Sequence, residues 1–349
     1  MTPSLAPSWI ELSESALRRN LRFLRQAIGE ACRFTSVVKG NAYGHGITQF
    51  VPLAQRFGVE RFAVFSADEA DQVLRARTAP CDVMVMGDIP PDATAWAIER
   101  GLSFYVFNTE RLADALAAAR KLKLKARVHL ELECGLNRTG LEADTLERAV
   151  GLIRDAPDLV QVEGVCVHFA GAESVANYLR VQNQIDAFNR QWAWLQRQGI
   201  PLGLRHTACS AAVLSYPDTI MDMVRVGIAQ YGFWPTQETR MAYVLRKQGE
   251  TNKRFVDPLH RVMSWKSRVM DVKRVGKGEW IGYGHNYMTN RRQIIASVPV
   301  GYAHGFTRSL SNLGRALVRG HRASVAGMVN MNMMLLDVTD IPGVEIGDE

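Results

Sequence analysis

Hydrophobic and polar positions along residues 13–235 repeat in an alternation of helix and strand. Residues 13–28 carry apolar side chains at helical spacing, and the apolar run CRFTSVV follows. The same order returns with ITQFVPLAQRFG before RFAVFS, and with ERLADALAAARKLK before KARVHLELE. Helices that alternate with apolar strands are typical of a parallel sheet covered by helices. Seven or eight such units predict a (β/α)₈ barrel over residues 13–235.

The pattern changes after YGFWP, which ends at residue 235. Strand-like segments at short spacing, among them VMSWKSRVMDVKRV, RQIIASVPVGY and RALVRGHRASVAGMV, are separated by glycine turns with little helix between them. We therefore predict a mostly β domain over residues 236–349, entered through a linker at 236–256. Residues 1–12 are predicted to pair with this second domain.

Composition excludes several classes of protein. The chain is 47% hydrophobic and 22% charged, which is ordinary for a globular protein. No apolar run reaches the roughly 18 residues of a membrane span, and MTPSLAPSWIELSE lacks the basic start and apolar stretch of a signal peptide. The sequence therefore predicts a cytoplasmic protein without a membrane partner.

The cysteines and the charge of the chain bear on whether it forms disulfides or binds a metal or a nucleic acid. The five cysteines are scattered without a C-x-x-C motif, which favours free thiols over a disulfide framework or a metal site. The net charge of +7 would suit an anionic partner, but the basic residues are spread along the chain and are not interleaved with aromatic ones. We predict no nucleic-acid partner.

The stretch VVKGNAYGHG places Lys39 directly after an apolar strand. A lysine at a strand end is most often a solvated charge. In a barrel, however, the carboxyl ends of the strands carry the chemistry, which makes Lys39 a candidate reactive amine. A desolvated lysine has a lowered pKa and can bind a carbonyl covalently, and pyridoxal phosphate is the obvious carbonyl cofactor.

Such a cofactor needs a phosphate site and a partner for its ring nitrogen. The stretch RVGIAQYG (225–232) offers backbone N–H groups at Gly227 and Ile228 for phosphate, and Arg225 for the ring. Taken alone, this stretch is better interpreted as one more strand and turn.

Further motifs occur along the chain, namely GLNRTG (135–140), VHFAGAE (167–173), ACSAA (208–212), IGYGHNY (281–287), VPVGYAHGFTR (298–308) and VNMNMMLLDVTD (329–340). Together with VVKGNAYGHG and RVGIAQYG, and in this order, they make the chain resemble the alanine racemases. These are pyridoxal-phosphate enzymes with a barrel followed by a β domain.

The resemblance implies a role for each matched residue. It implies two catalytic bases, Lys39 and Tyr283, of which Lys39 also binds the cofactor covalently. The other cofactor residues would be Tyr43, Ser210, Gly227 and Ile228 at the phosphate, Arg225 at the pyridine nitrogen, and His168 between Arg225 and Tyr283. The substrate carboxylate would bind Arg138 and the backbone of Met331, while Tyr302 would narrow the entrance. The resemblance also implies a head-to-tail homodimer in which Tyr283 acts in the partner's active site.

The chain departs from the family pattern at several positions. Glu131 stands where family members often carry a carbamylated lysine, and we expect its carboxylate to orient Arg138; the alternative is an exposed glutamate. Cys209, His304 and Asn332 replace the usual asparagine and two aspartates. The sequence ends at VEIGDE, short of the family pattern, so we expect either a truncated chain or an unusual β domain. Truncation would leave an exposed sheet edge and a weaker cofactor site.

The sequence thus predicts an amino-acid racemase that interconverts L- and D-alanine and supplies D-alanine for peptidoglycan. The departures leave a serine or broad-spectrum racemase of the same fold open. A non-catalytic carrier of pyridoxal phosphate would lack the second domain that bears Tyr283. A pure interaction protein would bind no cofactor at Lys39.

Overall fold

The computed structural model describes residues 6–250 and 255–349, except for the side chains of residues 247–250. Contacts between residues divide the described chain into two compact units. One comprises residues 13–262, and the other comprises residues 6–12 with 263–349. The parts of the predicted N-terminal segment and linker that fall on residues 1–5 and 251–254 lie outside the described residues.

The first unit is built on eight parallel strands in the order β8-β7-β6-β5-β4-β3-β2-β9. They are β2 (Arg33–Val37), β3 (Arg61–Val64), β4 (Asp82–Val85), β5 (Ser103–Val106), β6 (Ala126–Glu131), β7 (Val160–Cys166), β8 (Leu204–His206) and β9 (Met223–Val226). Between the last two strands, Cys209 and Arg225 form a parallel bridge. The predicted (β/α)₈ barrel is confirmed.

Helices alternate with these strands. They are α1 (Glu14–Ile28), α2 (Lys39–Tyr43), α3 (Ile47–Arg56), α4 (Ala67–Ala76), α5 (Thr94–Glu99), α6 (Thr109–Leu122), α7 (Ala143–Asp155), α8 (Tyr178–Gln196), α9 (Ser210–Ser215) and α10 (Gln237–Glu250). Helix α1 illustrates how the sequence specifies them. The Ser13 hydroxyl accepts a hydrogen bond from the Ala16 N–H and caps the helix. Leu17, Leu21 and Leu24 recur at helical spacing and are buried.

The second unit contains two antiparallel sheets. In the smaller one, β1 (Ser8–Leu12) pairs with β10 (Met263–Ser267). The larger has the order β11-β12-β15-β14-β13, formed by β11 (Asp271–Val275), β12 (Gln293–Val298), β13 (Arg315–Val318), β14 (His321–Val325) and β15 (Met334–Asp337). Its core contains Ala296, Val298, Val325 and Leu336. The mostly β domain predicted from the glycine-punctuated strands is confirmed.

Residues 236–262 group with the barrel rather than with the β unit, so the division falls at 262/263 instead of 235/236. Polar contacts within the unit explain why. Asp257 accepts hydrogen bonds from the Trp234 indole and the Arg240 guanidinium. The Asn20 side chain on α1 exchanges hydrogen bonds with the backbone of His260. The described part of the predicted linker therefore contains α10, and the residues from 255 to 262 have no regular secondary structure and are held to the barrel.

Two chemical features of the described residues bear on function. All five cysteines are free thiols. Within residues 6–250 and 255–349, no helix combines the length and the apolar character that crossing a bilayer requires.

Candidate active site

A cavity of about 640 Å³ lies at the carboxyl ends of the barrel strands. Its wall includes all nine residues that the sequence predicts for the barrel site, namely Lys39, Tyr43, Glu131, Arg138, His168, Ser210, Arg225, Gly227 and Ile228. A larger groove of about 920 Å³ lies beside α1 and the starts of β2 and β3, and contains none of them. The predicted residues of the barrel thus converge on one cavity.

Lys39 follows β2 at the start of an unusual backbone turn. Residues Gly40, Asn41, Ala42 and Tyr43 have φ values of 62°, 51°, 55° and 54°, which places α2 in the left-handed region. For each of the three residues with a side chain, this conformation costs roughly 1–2 kcal/mol relative to a right-handed one. The Gly44 N–H closes the turn by donating to the Gly40 carbonyl at 3.0 Å. Strain of this kind persists only where the surrounding structure holds it.

The Lys39 ammonium lies in an environment that disfavours its charge. Desolvation in the cavity wall lowers the Lys39 pKa, and the positive charges of Arg138 and Arg225 lower it further, while Glu69 opposes the shift. A lower pKa increases the fraction of free amine near neutral pH. Lys39 is therefore suited both to attack a carbonyl and to accept a proton.

In the wall of the same cavity, Ser210, Gly227 and Tyr43 come together. The Ser210 Oγ accepts hydrogen bonds from the N–H groups of Gly227 at 3.0 Å and Ala229 at 3.4 Å. A Cβ at position 227 would lie 2.3 Å from the Tyr43 hydroxyl oxygen, so only glycine allows this approach. Two hydroxyls and the backbone amides of this turn form a polar part of the cavity wall, a set of groups of the kind that binds phosphate.

Arg225 is almost fully buried, at 5% exposure. Its Nη1 donates to His206 Nδ1 at 2.6 Å and its Nη2 to the Val167 carbonyl at 2.8 Å. His206 Nε2 is in turn 2.9 Å from His129 Nδ1. Because arginine only donates, His206 must accept at Nδ1 and donate from Nε2, so His129 accepts at Nδ1. The guanidinium thereby fixes the tautomer of two buried imidazoles in succession.

This arrangement differs from the expected role of His168 and adds two histidines to the residues around Arg225. Among the described residues, the histidine that hydrogen-bonds Arg225 is His206, and the predicted bond to His168 is not formed. His168 lies in the cavity wall, where burial and the nearby Arg225 lower its pKa to about 3. His129 and His206 were not among the residues predicted from the sequence. The signal that could have found them is their position on β6 and at the end of β8.

We expect the folded protein to lose stability as the pH falls below about 6. Burial, with the charges of Arg225 and Arg127, lowers the His129 pKa to about 3 from its ordinary 6.5. Between these values the unfolded chain binds a proton that the folded chain excludes, so the free energy of unfolding falls with decreasing pH. At pH 4 this amounts to roughly 3 kcal/mol for His129. Urea titrations from pH 8 to 4 would measure it.

His129→Asn provides the control for this pH dependence. Its side-chain oxygen can still accept from His206, but it does not titrate. The variant should show a shallower fall in stability with pH. Identical slopes for wild type and variant would contradict a neutral, buried His129.

Glu131 is buried at 3% exposure, so the alternative of an exposed glutamate is wrong. Its Oε2 accepts a hydrogen bond from the Thr139 hydroxyl at 2.8 Å, and burial raises its pKa. Within the described residues it forms no ion pair with Arg138. The orientation of Arg138 by Glu131 remains a prediction. In the structure, Glu131 contacts Thr139, the residue next to Arg138, and could act on Arg138 through it.

The remaining predicted residues lie in the β unit. Tyr283 is flanked by Gly282 and Gly284, both with φ near 70°, and is 69% exposed. The Tyr302 N–H donates to the Asn330 carbonyl, and the Ala303 N–H donates to the Met331 carbonyl at 2.9 Å. Tyr302 and Met331 therefore belong to one local surface of this unit.

The departures from the expected pattern are divided between the two units. Cys209 lines the barrel cavity. In the β unit, His304 Nδ1 accepts a hydrogen bond from the Gly301 N–H at 3.2 Å, and Asn332 is exposed.

Comparisons with known proteins match both units. The N-terminal domain of alanine racemase matches residues 12–235, and the C-terminal domain of alanine racemase matches residues 262–349. The chain belongs to the alanine racemase family. The alanine racemase of Desulfovibrio desulfuricans is 34% identical over 344 residues, which cover 98% of this chain and 88% of that protein.

Solved structures of alanine racemases are also similar to this chain. The enzyme from D-cycloserine-producing Streptomyces lavendulae is 31% identical and superposes with a TM-score of 0.88 over 99% of this chain and 87% of its own. The Bacillus anthracis enzyme with bound L-Ala-P is 29% identical, with a TM-score of 0.84 over 99% of this chain and 85% of its own. Membership of the alanine racemase family, expected from the motifs, is thus confirmed, and with it a pyridoxal-phosphate-dependent racemase.

Proposed function

We propose that this alanine racemase family member interconverts L- and D-alanine with pyridoxal phosphate, and that the D-alanine supplies peptidoglycan. The observation that carries the proposal is the barrel cavity, in which Lys39 and Arg225 share a wall with the surface formed by Tyr43, Ser210 and Gly227. When bound, the cofactor withdraws electrons from the substrate and makes its Cα proton acidic.

The chain's own residues would hold the cofactor at three points. Lys39 would bind it covalently, and its phosphate would be bound by the hydroxyls of Tyr43 and Ser210 with the backbone at Gly227 and Ile228, the Gly227 N–H leaving the Ser210 oxygen for the phosphate. Arg225 would serve the pyridine nitrogen. Arg225 Nη1 donates to the ring and the carbonyl of His206, and Nη2 donates to the carbonyls of Val167 and Thr207. All four Nη–H groups are thus engaged, so Nε–H is the donor that can serve the pyridine ring. An arginine keeps its proton, which leaves the ring nitrogen unprotonated and favours racemisation over transamination.

Inversion at Cα requires one base on each face of the substrate. Lys39 serves one face. Tyr283 of the partner subunit serves the other, in a homodimer whose active sites are shared. Arg138 and the Met331 backbone bind the substrate carboxylate, Tyr302 narrows the entrance, and His168, neutral in the cavity wall, orients the Tyr283 hydroxyl.

Chiral chromatography tests this function. L-alanine, L-serine, L-lysine and L-arginine are incubated separately with the protein and pyridoxal phosphate. We expect D-alanine to form fastest. If D-serine, D-lysine or D-arginine formed faster than D-alanine, the preferred substrate would be that amino acid. The change in specificity would then be assigned to Cys209, His304 and Asn332. Bound cofactor without any D-product would indicate a carrier.

We expect Glu131→Gln to raise the KM for alanine about tenfold while kcat changes little. The buried carboxylate supports Thr139 and, next to it, Arg138, whose contact with the substrate carboxylate is a charge-assisted hydrogen bond. Steady-state kinetics with L- and D-alanine would measure both constants. Glu142→Gln is the control, because Glu142 is an exposed glutamate before α7 whose side chain makes no capping hydrogen bond. An unchanged KM in Glu131→Gln would remove Glu131 from the substrate site.

A further inference from the structure

The carboxylate of Glu69, in the first turn of α4, holds the backbone directly beside Lys39. Its Oε1 accepts hydrogen bonds from the N–H groups of Gly40 at 2.6 Å and Asn41 at 3.3 Å. Its Oε2 accepts from the Phe65 N–H at 2.9 Å. One side chain thus ties the turn that follows β2 to the end of the neighbouring strand β3.

The left-handed turn cannot satisfy these amides by itself. Its internal hydrogen bonds begin with the Ala42 N–H, which donates to the Val38 carbonyl, and continue with the Gly44 N–H, which donates to the Gly40 carbonyl. The N–H groups of Gly40 and Asn41 precede the first of these donors. A carboxylate is the strongest acceptor that a side chain can offer them, because the hydrogen bonds are charge-assisted.

We infer that Glu69 is a positioning residue for Lys39: by clamping the first two amides of the left-handed turn, it holds Lys39 and Tyr43 in the orientations that the cavity requires. The turn begins at Lys39 and ends at Tyr43, so its geometry sets both side chains together. This inference rests on the proposed function, since it assigns those two residues to the cofactor.

Electrostatics give the same carboxylate a second effect. Its negative charge opposes the lowering of the Lys39 pKa. Removing the charge should therefore lower the Lys39 pKa further, in addition to releasing the turn.

The test compares Glu69→Gln, Glu69→Asp and the control Asp68→Asn in the full chain with pyridoxal phosphate bound. Both carboxylate oxygens of Glu69 accept hydrogen bonds from backbone N–H groups. In Glu69→Gln one of these oxygens is replaced by an NH₂ group, which cannot accept, so in either orientation of the amide at least one backbone N–H loses its acceptor. Asp68, in the same helical turn, accepts a hydrogen bond from the Ser66 hydroxyl and does not contact the turn that contains Lys39. Amide hydrogen exchange at residues 40, 41 and 65 is measured together with kcat and KM for alanine and the pH dependence of kcat.

We expect Glu69→Gln to speed exchange at these three amides by at least about tenfold and to lower kcat by about tenfold to a hundredfold. KM should stay within about twofold, and the acid limb of the kcat profile should move to lower pH. Glu69→Asp, which keeps the charge with a shorter reach, should fall between wild type and Glu69→Gln. Asp68→Asn should match wild type.

Two results would overturn the inference. One is that Glu69→Gln shows the same exchange rates at residues 40, 41 and 65, and the same kcat, as the wild type. The other is faster exchange throughout the barrel with a proportional loss of folded protein and an unshifted pH profile, because that describes a purely structural residue. If wild type itself forms no D-alanine, the proposed function fails, and the exchange at residues 40, 41 and 65 still decides whether Glu69 clamps the turn.

Discussion

Lys39→Ala is expected to lower racemisation of alanine by roughly 10⁴-fold, the largest effect of any single substitution in the chain. The variant loses the covalent attachment of the cofactor and one of the two bases at once. The structure favours this residue because Lys39 combines a position at the mouth of the barrel with a pKa lowered by desolvation. Chiral chromatography of L- and D-alanine, with borohydride fixation of the cofactor as a second readout, would measure both losses.

A matched control is Lys125→Ala. Lys125 precedes β6 at the opposite end of the barrel, where its ammonium donates to the Pro157 carbonyl. This variant should retain wild-type activity and covalent cofactor. Added methylamine should restore part of the activity of Lys39→Ala, because a free amine can replace the missing base. More than about a tenth of wild-type turnover in Lys39→Ala without added amine would rule out Lys39 as an essential base.

Tyr283→Phe is expected to lower racemisation by roughly 10²- to 10⁴-fold while cofactor binding remains intact. The substitution removes only the hydroxyl, and the side chain is exposed on its own unit, so folding should be unaffected. With Lys39 as the remaining base, the Cα proton of one enantiomer should still exchange with solvent deuterium without inversion. Proton NMR in D₂O would follow this exchange for each enantiomer separately.

Tyr287→Phe is the control for Tyr283→Phe, because the Tyr287 hydroxyl accepts a hydrogen bond from the Gln293 side-chain amide at 2.8 Å and has no proposed role in the chemistry. Equal losses in the two variants would argue against a special role for Tyr283. Mixing Lys39→Ala with Tyr283→Phe tests whether sites are shared. Random exchange of subunits should create intact sites and restore about a quarter of wild-type activity, whereas sites confined to one chain would give no recovery.

Much of the fold could be predicted because its signal is local. The alternation of apolar strands with amphipathic helices such as α1 requires only the periodicity of side chains along the chain. The change to glycine-punctuated strands after residue 235 marked the β unit in the same way. The boundary could not be predicted to the residue, because Asp257 and His260 reach the barrel through polar contacts with Trp234 and Asn20 that leave no periodic trace.

Parts of the candidate site depend on contacts between distant strands. The motif VVKGNAYGHG indicates a reactive lysine, but it does not reveal a left-handed turn or its contacts with Glu69. Likewise, nothing adjacent in the sequence links Arg225 to His206 and His129. These groups meet because the barrel brings β9, β8 and β6 around one interior.

Local spacing and composition were enough to predict the order of elements, the two-part organisation and the identity of the residues at the strand ends. The burial of Glu131, the hydrogen bond of Arg225 to His206 rather than His168, and the hydrogen bonds of Glu69 to the amides beside Lys39 became visible only in the folded barrel. The physical reason is that desolvation and hydrogen-bond partners depend on which strand ends are neighbours, and the closed barrel sets those neighbours across long stretches of chain.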